Sequence, residues 1–289
     1  MKKFIAIVLM AVLGALILAS CGGDAAAGTG TLHAVTRESG SGTRGAFVEI
    51  VGVSDADGND LISSEAEVQQ GTGAVVTAVS GNPQAIGYAS TGAAATAESD
   101  GRIRMLPIDG VAPTTANMLS GTYAISRPFL IAYNTQAGLN ELTQDFVDFI
   151  FSAQGQAVVS GSYVPVAVGA PEYASSGLTG TIVVNGSSSV YSLMQNLSEA
   201  YRELNAGVTI DVHNTGSGAG ITAARDQTAD LGMSSRDLRD TELEALSYRN
   251  IAIDGIAIIV HPDNDISGLT MEQVRNIFLG EVEAWEDVR

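Results

Sequence analysis

One local pattern recurs three times in this chain: an apolar run suited to a strand, a turn rich in glycine and serine, then residues suited to start a helix. Thr181–Val184 leads into Gly186-Ser187-Ser188-Ser189. Val208–Val212 leads into Gly216-Ser217-Gly218-Ala219-Gly220. Leu32–Val35 leads into Arg37-Glu38-Ser39-Gly40-Ser41-Gly42-Thr43. A helix start leaves its first backbone N–H groups unpaired and carries a partial positive charge. Glycine lets that backbone come close to a ligand, and serine and threonine add hydroxyl donors. Three such ends brought together would make a site for a small tetrahedral oxyanion, with an arginine in the third. Strand-like and helix-like patterns alternate along the whole chain, which favours an α/β fold with mostly parallel sheets.

The first 21 residues bear on location. Lys2 and Lys3 precede an apolar run from Phe4 to Leu18, too short for a stable span and read as a signal sequence. It ends in Leu18-Ala19-Ser20-Cys21, similar to the lipobox of a bacterial lipoprotein, in which Cys21 becomes the lipidated first residue. Cys21 is the only cysteine, so no disulfide or cysteine metal site is open to the chain. Residues 22–30 are small and polar and read as a flexible tether. From Cys21 on the chain has about 269 residues, the size of one two-lobed protein or two small domains. The formal net charge of −18 makes nucleic acid and anionic surfaces poor partners. An anionic ligand would have to be captured by local hydrogen bonds against that field.

Further along, Asp55, Asp57 and Asn59 alternate as in a calcium loop. Asp60 and Ala66 stand where such a loop needs glycine and glutamate, so the segment reads as a plain turn. Gly73–Val79 suits a helix and Ala85–Ala89 a short strand. Ile103–Ile108 and Ile125–Tyr133 suit strands. Leu142–Ser160 has helical periodicity with Phe146, Ile150 and Val158 inside. Val166–Gly180 reads as a Pro/Gly/Ser linker. Beyond it lie a helix at Tyr191–Leu204, a long apolar strand at Ile251–Val260 and a helix at Met271–Leu279.

Taken together, these segments resemble the periplasmic phosphate-binding proteins of ABC-type phosphate importers, in the type II solute-binding fold. The resemblance is carried by Ile182-Val183-Val184-Asn185-Gly186-Ser187-Ser188-Ser189, Asn214-Thr215-Gly216-Ser217-Gly218-Ala219-Gly220-Ile221, Ala229-Asp230-Leu231-Gly232-Met233-Ser234-Ser235-Arg236 and Ile253-Asp254-Gly255-Ile256-Ala257. Ile277-Phe278-Leu279-Gly280-Glu281 and Trp285 match too, as do Thr36–Thr43, Ala85-Ile86-Gly87-Tyr88 and Tyr123-Ala124-Ile125-Ser126-Arg127-Pro128-Phe129. It covers residues 31–165 and 180–289. In the family, the segment resembling 180–289 comes first and the one resembling 31–165 follows; here the halves are swapped. A circular permutation, with residues 166–180 joining the family's own ends, fits this order. A truncated or misassembled tandem chain and an exchange of halves between two chains are the rival accounts.

The resemblance implies two α/β lobes joined by two crossing strands, with the ligand in the cleft. Residues 31–107 and 258–289 would form lobe two, and 108–257 lobe one with the crossing segments, near Pro107–Thr122 and Ile253–Val260. It implies that Ser188, the Ser189 backbone N–H and Ser217 bind phosphate from lobe one, and Arg37, Ser41, Gly42 and Thr43 from lobe two. Ser235 stands where the family often has an aspartate that accepts the phosphate proton. Arg236 is either a ligand contact or a structural partner of Asp254 or Glu38. The implied partners are inorganic phosphate, ABC permease subunits and the membrane through Cys21, with no cofactor, no metal and no nucleic acid. Binding or sensing of another oxyanion, such as sulfate or molybdate, is an alternative. A hydrolase acting on phosphorylated substrates is a weaker one, since the three histidines (His33, His213 and His261) accompany no Gly-x-Ser-x-Gly elbow.

Overall fold

A computed structural model describes residues 30–288 of the chain. The leader, Cys21 and residues 22–29 of the tether lie outside the described residues. In chain order, β1 (His33–Arg37), α1 (Gly42–Val51), β2 (Glu67–Gln69), α2 (Thr72–Ser80), β3 (Ala85–Ser90), α3 (Thr91–Ser99), β4 (Arg104–Leu106) and α4 (Thr115–Leu119) build one lobe. Then β5 (Ser126–Asn134), α5 (Glu141–Ile150), α6 (Ala153–Ser160), β6 (Val164–Pro165), β7 (Gly180–Gly186), α7 (Ser188–Leu204), β8 (Val208–Asn214), α8 (Ser217–Arg225), β9 (Leu231–Ser234) and α9 (Asp240–Leu243) build the other. The long β10 (Leu246–Val260) runs through both, and α10 (Met271–Leu279) with a 3₁₀ turn at Trp285–Val288 returns to the first.

The strands form one mixed sheet in the order β2-β1-β3-β10-β5-β9-β7-β8, with β4 and β6 also paired to β10. Pairing is parallel within β2-β1-β3 and within β9-β7-β8. Around β10 it is antiparallel: residues 246–255 pair with β5, and 256–260 pair with β3. The mostly parallel reading therefore holds for the outer strands, while the shared centre is antiparallel. One strand belonging to both lobes makes the crossing. The other crossing lies at the start of β5, because Ile108, Met118, Tyr123 and Ile125 pack into the apolar cluster of lobe two, as does Ile256. Residues 108–125, expected as a crossing segment counted with lobe one, thus pack with lobe two.

Each lobe has its own core. In lobe two Phe47 stacks on Tyr88 at 4.0 Å, and Phe278 meets both edge-on. Trp285 is fully buried there, its Nε1–H donating to the Gln84 carbonyl at 3.0 Å. The two ends of the described chain lie side by side: Leu32 N–H donates to the Glu283 carbonyl and Trp285 N–H to that of Gly30. In lobe one Phe146, Phe149 and Tyr201 cluster under α7.

Local sequence explains the breaks. The helical run expected over 142–160 is two helices because Ser152 caps the second, accepting from the Gly155 N–H at 3.2 Å. Helix α10 carries a capping box, Thr270 with Gln273, and stops at Gly280 with φ +78°. The linker is not loose: Tyr173 packs on Phe149 and Tyr201, and its hydroxyl donates to Asp145 at 2.6 Å. In the calcium-like loop, the Asp55 carboxylate is satisfied by the Asp57 N–H and by the Asn59 N–H and side-chain amide.

Candidate anion-binding site

Four helix N-termini meet between the lobes: α1 and α2 from lobe two, α7 and α8 from lobe one. In each the turn residues set the geometry. Gly40 and Gly216 adopt φ of +83° and +91°, a left-handed backbone that favours glycine. Ser41 and Ser187 cap their helices.

Arg37 ends β1 and is 1% exposed. Its Nε and Nη2 hold Glu38 in a fork at 2.7 and 2.7 Å. Nη2 also reaches across to lobe one, donating to Ser188 Oγ at 2.9 Å, and Nη1 donates to Thr72 Oγ1 of its own lobe at 3.2 Å. The ion pair leaves little net charge at the site. Burial pushes the Glu38 carboxyl up, but hydrogen bonds from Arg37 and the Gly71 N–H, together with the Arg37 charge, outweigh it and hold it below the ordinary glutamate value.

The remaining hydroxyls meet across the cleft. Thr43 Oγ1 lies 2.8 Å from Ser189 Oγ. Ser217 Oγ accepts from the Ser235 N–H at 3.2 Å, and Ser235 Oγ accepts from Ser187 Oγ at 2.9 Å. The Gly218 N–H donates to the Gly40 carbonyl at 3.1 Å, joining the lobes through backbone. Gly42 passes so close to Ser217 and Ser235 that a Cβ there would stand 2.7 Å from Ser235 Oγ. The structure thus brings together Arg37, Gly42, Thr43, Ser188, Ser189, Ser217 and Ser235. Ser41 sits beside them, its hydroxyl accepting from the Arg44 N–H of its own helix at 3.3 Å.

Arg236 pairs neither with Asp254 nor with Glu38. Its guanidinium forks onto Glu242 at 2.8 and 2.8 Å, since α9 brings that carboxylate within reach, and its stem crosses Gly45 of the opposite lobe. Asp254 instead bonds Arg127 at 3.0 and 3.3 Å and accepts from the Ser90 and Thr91 hydroxyls. Burial pushes the Asp254 carboxyl up and the Arg127 guanidinium down, each opposed by its partner's charge. Arg127 Nη1 also donates to the Ser235 carbonyl at 3.1 Å, tying the crossing strands to the site.

Sequence reading missed Thr72 and the Arg127–Asp254 pair. The Gly71-Thr72-Gly73 stretch at a helix start was the available signal for the first. His213 is exposed at the end of β8, whereas Ser217 is fully buried and its hydroxyl accepts from the Ser235 N–H. Among the described residues, no group of three or more His, Cys, Asp or Glu side chains is placed to hold a metal ion, and no helix is long and apolar enough to cross a membrane.

Two α/β lobes, two shared crossing segments and a cleft lined by helix N-termini define a solute-binding protein of the two-lobed kind. A family model described as a PBP superfamily domain matches residues 23–154 and 171–289. Phosphate-binding protein PstS 2 of Streptococcus pneumoniae serotype 4 is 41% identical over 280 residues, 94% of each chain. Its namesake in Streptococcus agalactiae serotype V is 40% identical over 299 residues, 100% of this chain and 99% of that one. Phosphate-binding protein PstS of Pseudomonas aeruginosa matches at 36% over 135 residues, 41% of this chain. The crystal structure of a phosphate-binding protein of a phosphate ABC transporter from Streptococcus pneumoniae TIGR4 superimposes with a TM-score of 0.72 at 42% identity, over 90% of this chain and all of that one. The chain belongs to the PBP superfamily and, within it, to the phosphate-binding proteins named PstS.

Proposed function

We propose that this protein captures inorganic phosphate outside the cytoplasm and delivers it to an ABC importer, as a binder and not an enzyme. The observation that carries this is the meeting of four helix N-termini and Arg37 in one interlobe cluster of hydroxyls. The names of the full-length relatives give the ligand its identity. Ser188, Ser189 and Ser217 from one lobe and Arg37, Gly42 and Thr43 from the other are the binding groups, with Ser41 and Ser235 beside them. Charge-assisted hydrogen bonds are worth roughly 1.5–3 kcal/mol each, so six suffice for the ~8 kcal/mol of micromolar binding after ordering and desolvation. Permease subunits are the expected partners, and the lipid on Cys21 would hold the protein at the outer face of the membrane.

Calorimetric titration with phosphate tests the reading. Arg37→Ala should weaken binding at least roughly tenfold, the loss of one charge-assisted contact. Unchanged affinity would remove Arg37 from the site, and turnover of a phosphate ester lost in Ser217→Ala would favour the hydrolase. Sulfate belongs in the same titration. The nearby carboxylates are engaged, Glu38 by Arg37 and Gly71, and Asp254 by Arg127, Ser90 and Thr91, so Ser235 offers a hydroxyl where a carboxylate would reject a fully ionised anion.

We also read the order of the halves as a circular permutation. The adjacency of residues 30–32 with 283–285 supports it, as does the match to the Pseudomonas protein over one stretch of 135 residues beside streptococcal matches over nearly the whole chain. A monomeric mass in solution is the expected result; a dimer would favour exchanged halves.

A further inference from the structure

The three strand–turn–helix units account for three of the four helix ends at the cleft. The fourth, α2, follows a three-residue strand and brings one hydroxyl, Thr72. Its Oγ1 is 3.2 Å from Arg37 Nη1, 3.2 Å from Ser188 Oγ and 3.1 Å from Ser189 Oγ, and the residue is 5% exposed. A hydroxyl has one donor and two acceptor sites. Arg37 can only donate, so it occupies one acceptor site and leaves the Thr72 proton for the oxygens on the lobe-one side. That is the space shared by Ser188, Ser189 and the outward edge of Arg37. The turn before α2 is fixed to the same ion pair, for the Gly71 N–H donates to Glu38 Oε2 at 3.1 Å and the Glu38 N–H to the Gln69 carbonyl at 3.2 Å. Thr72 is therefore held in place by the pair that positions Arg37.

We propose that Thr72 is a binding residue for the anion: its hydroxyl accepts from Arg37 and donates to a ligand oxygen, giving lobe two a second helix end at the site. This rests on the phosphate-binding reading. An anion that met only α1 on this lobe would leave the Thr72 proton with protein hydroxyls alone; one held by both helix ends gains a donor that is already oriented. The assignment gives Thr72 a chemical role and not merely a packing one, so the hydroxyl and the methyl should behave differently on substitution.

The test is calorimetric titration of phosphate into the unaltered protein, Thr72→Val and Thr72→Ser, with melting of each followed without phosphate. Val keeps the shape and removes the hydroxyl; Ser keeps the hydroxyl and removes the methyl. The proposal expects Thr72→Val to bind about tenfold more weakly, one hydrogen bond. Thr72→Ser should stay within about threefold of the unaltered protein, and melting without phosphate should be nearly the same for all three. Thr72→Val binding as tightly as the unaltered protein overturns the proposal and leaves the phosphate reading intact. Thr72→Ser as weak as Thr72→Val, or a loss of affinity matched by a loss of melting temperature without ligand, also overturns it, because packing would then be the role. No phosphate binding by the unaltered protein overturns both.

Discussion

Adding one methyl group at Gly42 separates binding from folding in this protein. Gly42 is the first residue of α1, and the opposite lobe presses on it. A Cβ there would stand 2.7 Å from Ser235 Oγ, 2.9 Å from Ser217 Cβ and closer still to Ser217 Oγ. Ordinary contact needs about 3.5 Å or more, so Gly42→Ala forces the lobes apart by something near an ångström. The clash lies between lobes and leaves each lobe's core untouched. Gly42 has ordinary helical backbone, and alanine is preferred over glycine in helices by up to about 1 kcal/mol, so the fold should be as stable or slightly more so. Binding should suffer. Separation weakens at least the Thr43–Ser189, Thr72–Ser189 and Gly218–Gly40 contacts. At roughly 0.5–1.5 kcal/mol each, their loss amounts to about 1.5–4.5 kcal/mol, or about 10-fold to 2,000-fold in affinity. Calorimetric titration of Gly42→Ala with phosphate, beside thermal melting without it, reads both quantities. Affinity within threefold of the unaltered protein would show that binding does not require this approach of the lobes and would refute the reasoning. Lost affinity with lost stability would place the damage in the fold instead.

Two further outcomes follow from buried charge. Asp254→Ala strands Arg127 without a counter-charge at the crossing strands and should cost about 3–5 kcal/mol in urea unfolding, whereas Arg127→Met with Asp254→Leu should recover most of it; an Asp254→Ala protein of unaltered stability would refute the pair's role. The Glu38 carboxyl is held below its ordinary value of 4.5, so its contribution is fully present above that pH and is lost as pH falls through the lower folded-state value. The stability difference between the unaltered protein and Glu38→Gln should therefore shrink on acidification below about pH 4.5, as followed by melting; a difference independent of pH would count against it.

What the sequence disclosed follows from the range over which its signals act. The three strand–turn–helix units are local, spelled within about ten residues each, and they carried Arg37, Thr43, Ser188, Ser189 and Ser217 to the site. Thr72 escaped because its strand, Glu67–Gln69, is short and largely exposed and shows no apolar run before the turn. Arg127 and Asp254 face one another only through the pairing of β5 with β10, a register that no local pattern announces. Arg236, left open between the ligand and Asp254 or Glu38, pairs with Glu242, only six residues away on a helix of four residues too short to show periodicity. The crossing expected near Pro107–Thr122 falls a few residues later, at the start of β5, because Tyr123 and Ile125 still pack in the core of lobe two. The Pro/Gly/Ser run at 166–180 reads as a linker, and its packing shows only when Tyr173 meets Asp145, Phe149 and Tyr201.

A chain of net charge −18 that binds an anion needs a capture device of short range. The structure meets that requirement by placing partial charges where a full one would be expected. Arg37 is matched by Glu38, so the pair adds geometry and donors more than long-range attraction. The helix termini act within their first turn, and water and salt screen the rest of the surface beyond about 8 Å. A phosphate ion therefore meets a repulsive or neutral surface until it enters the cleft, where N–H and O–H groups from both lobes converge over a few ångströms. Because the proposed binding groups come from both lobes, full attraction would require the lobes to meet as they do in this structure. Thr43, Thr72 and Gly218 supply the contacts that make this meeting close, and Gly42 is small enough to permit it. In the proposed site, the hydroxyls and N–H groups that would hold the ligand are among those that join the lobes in this structure.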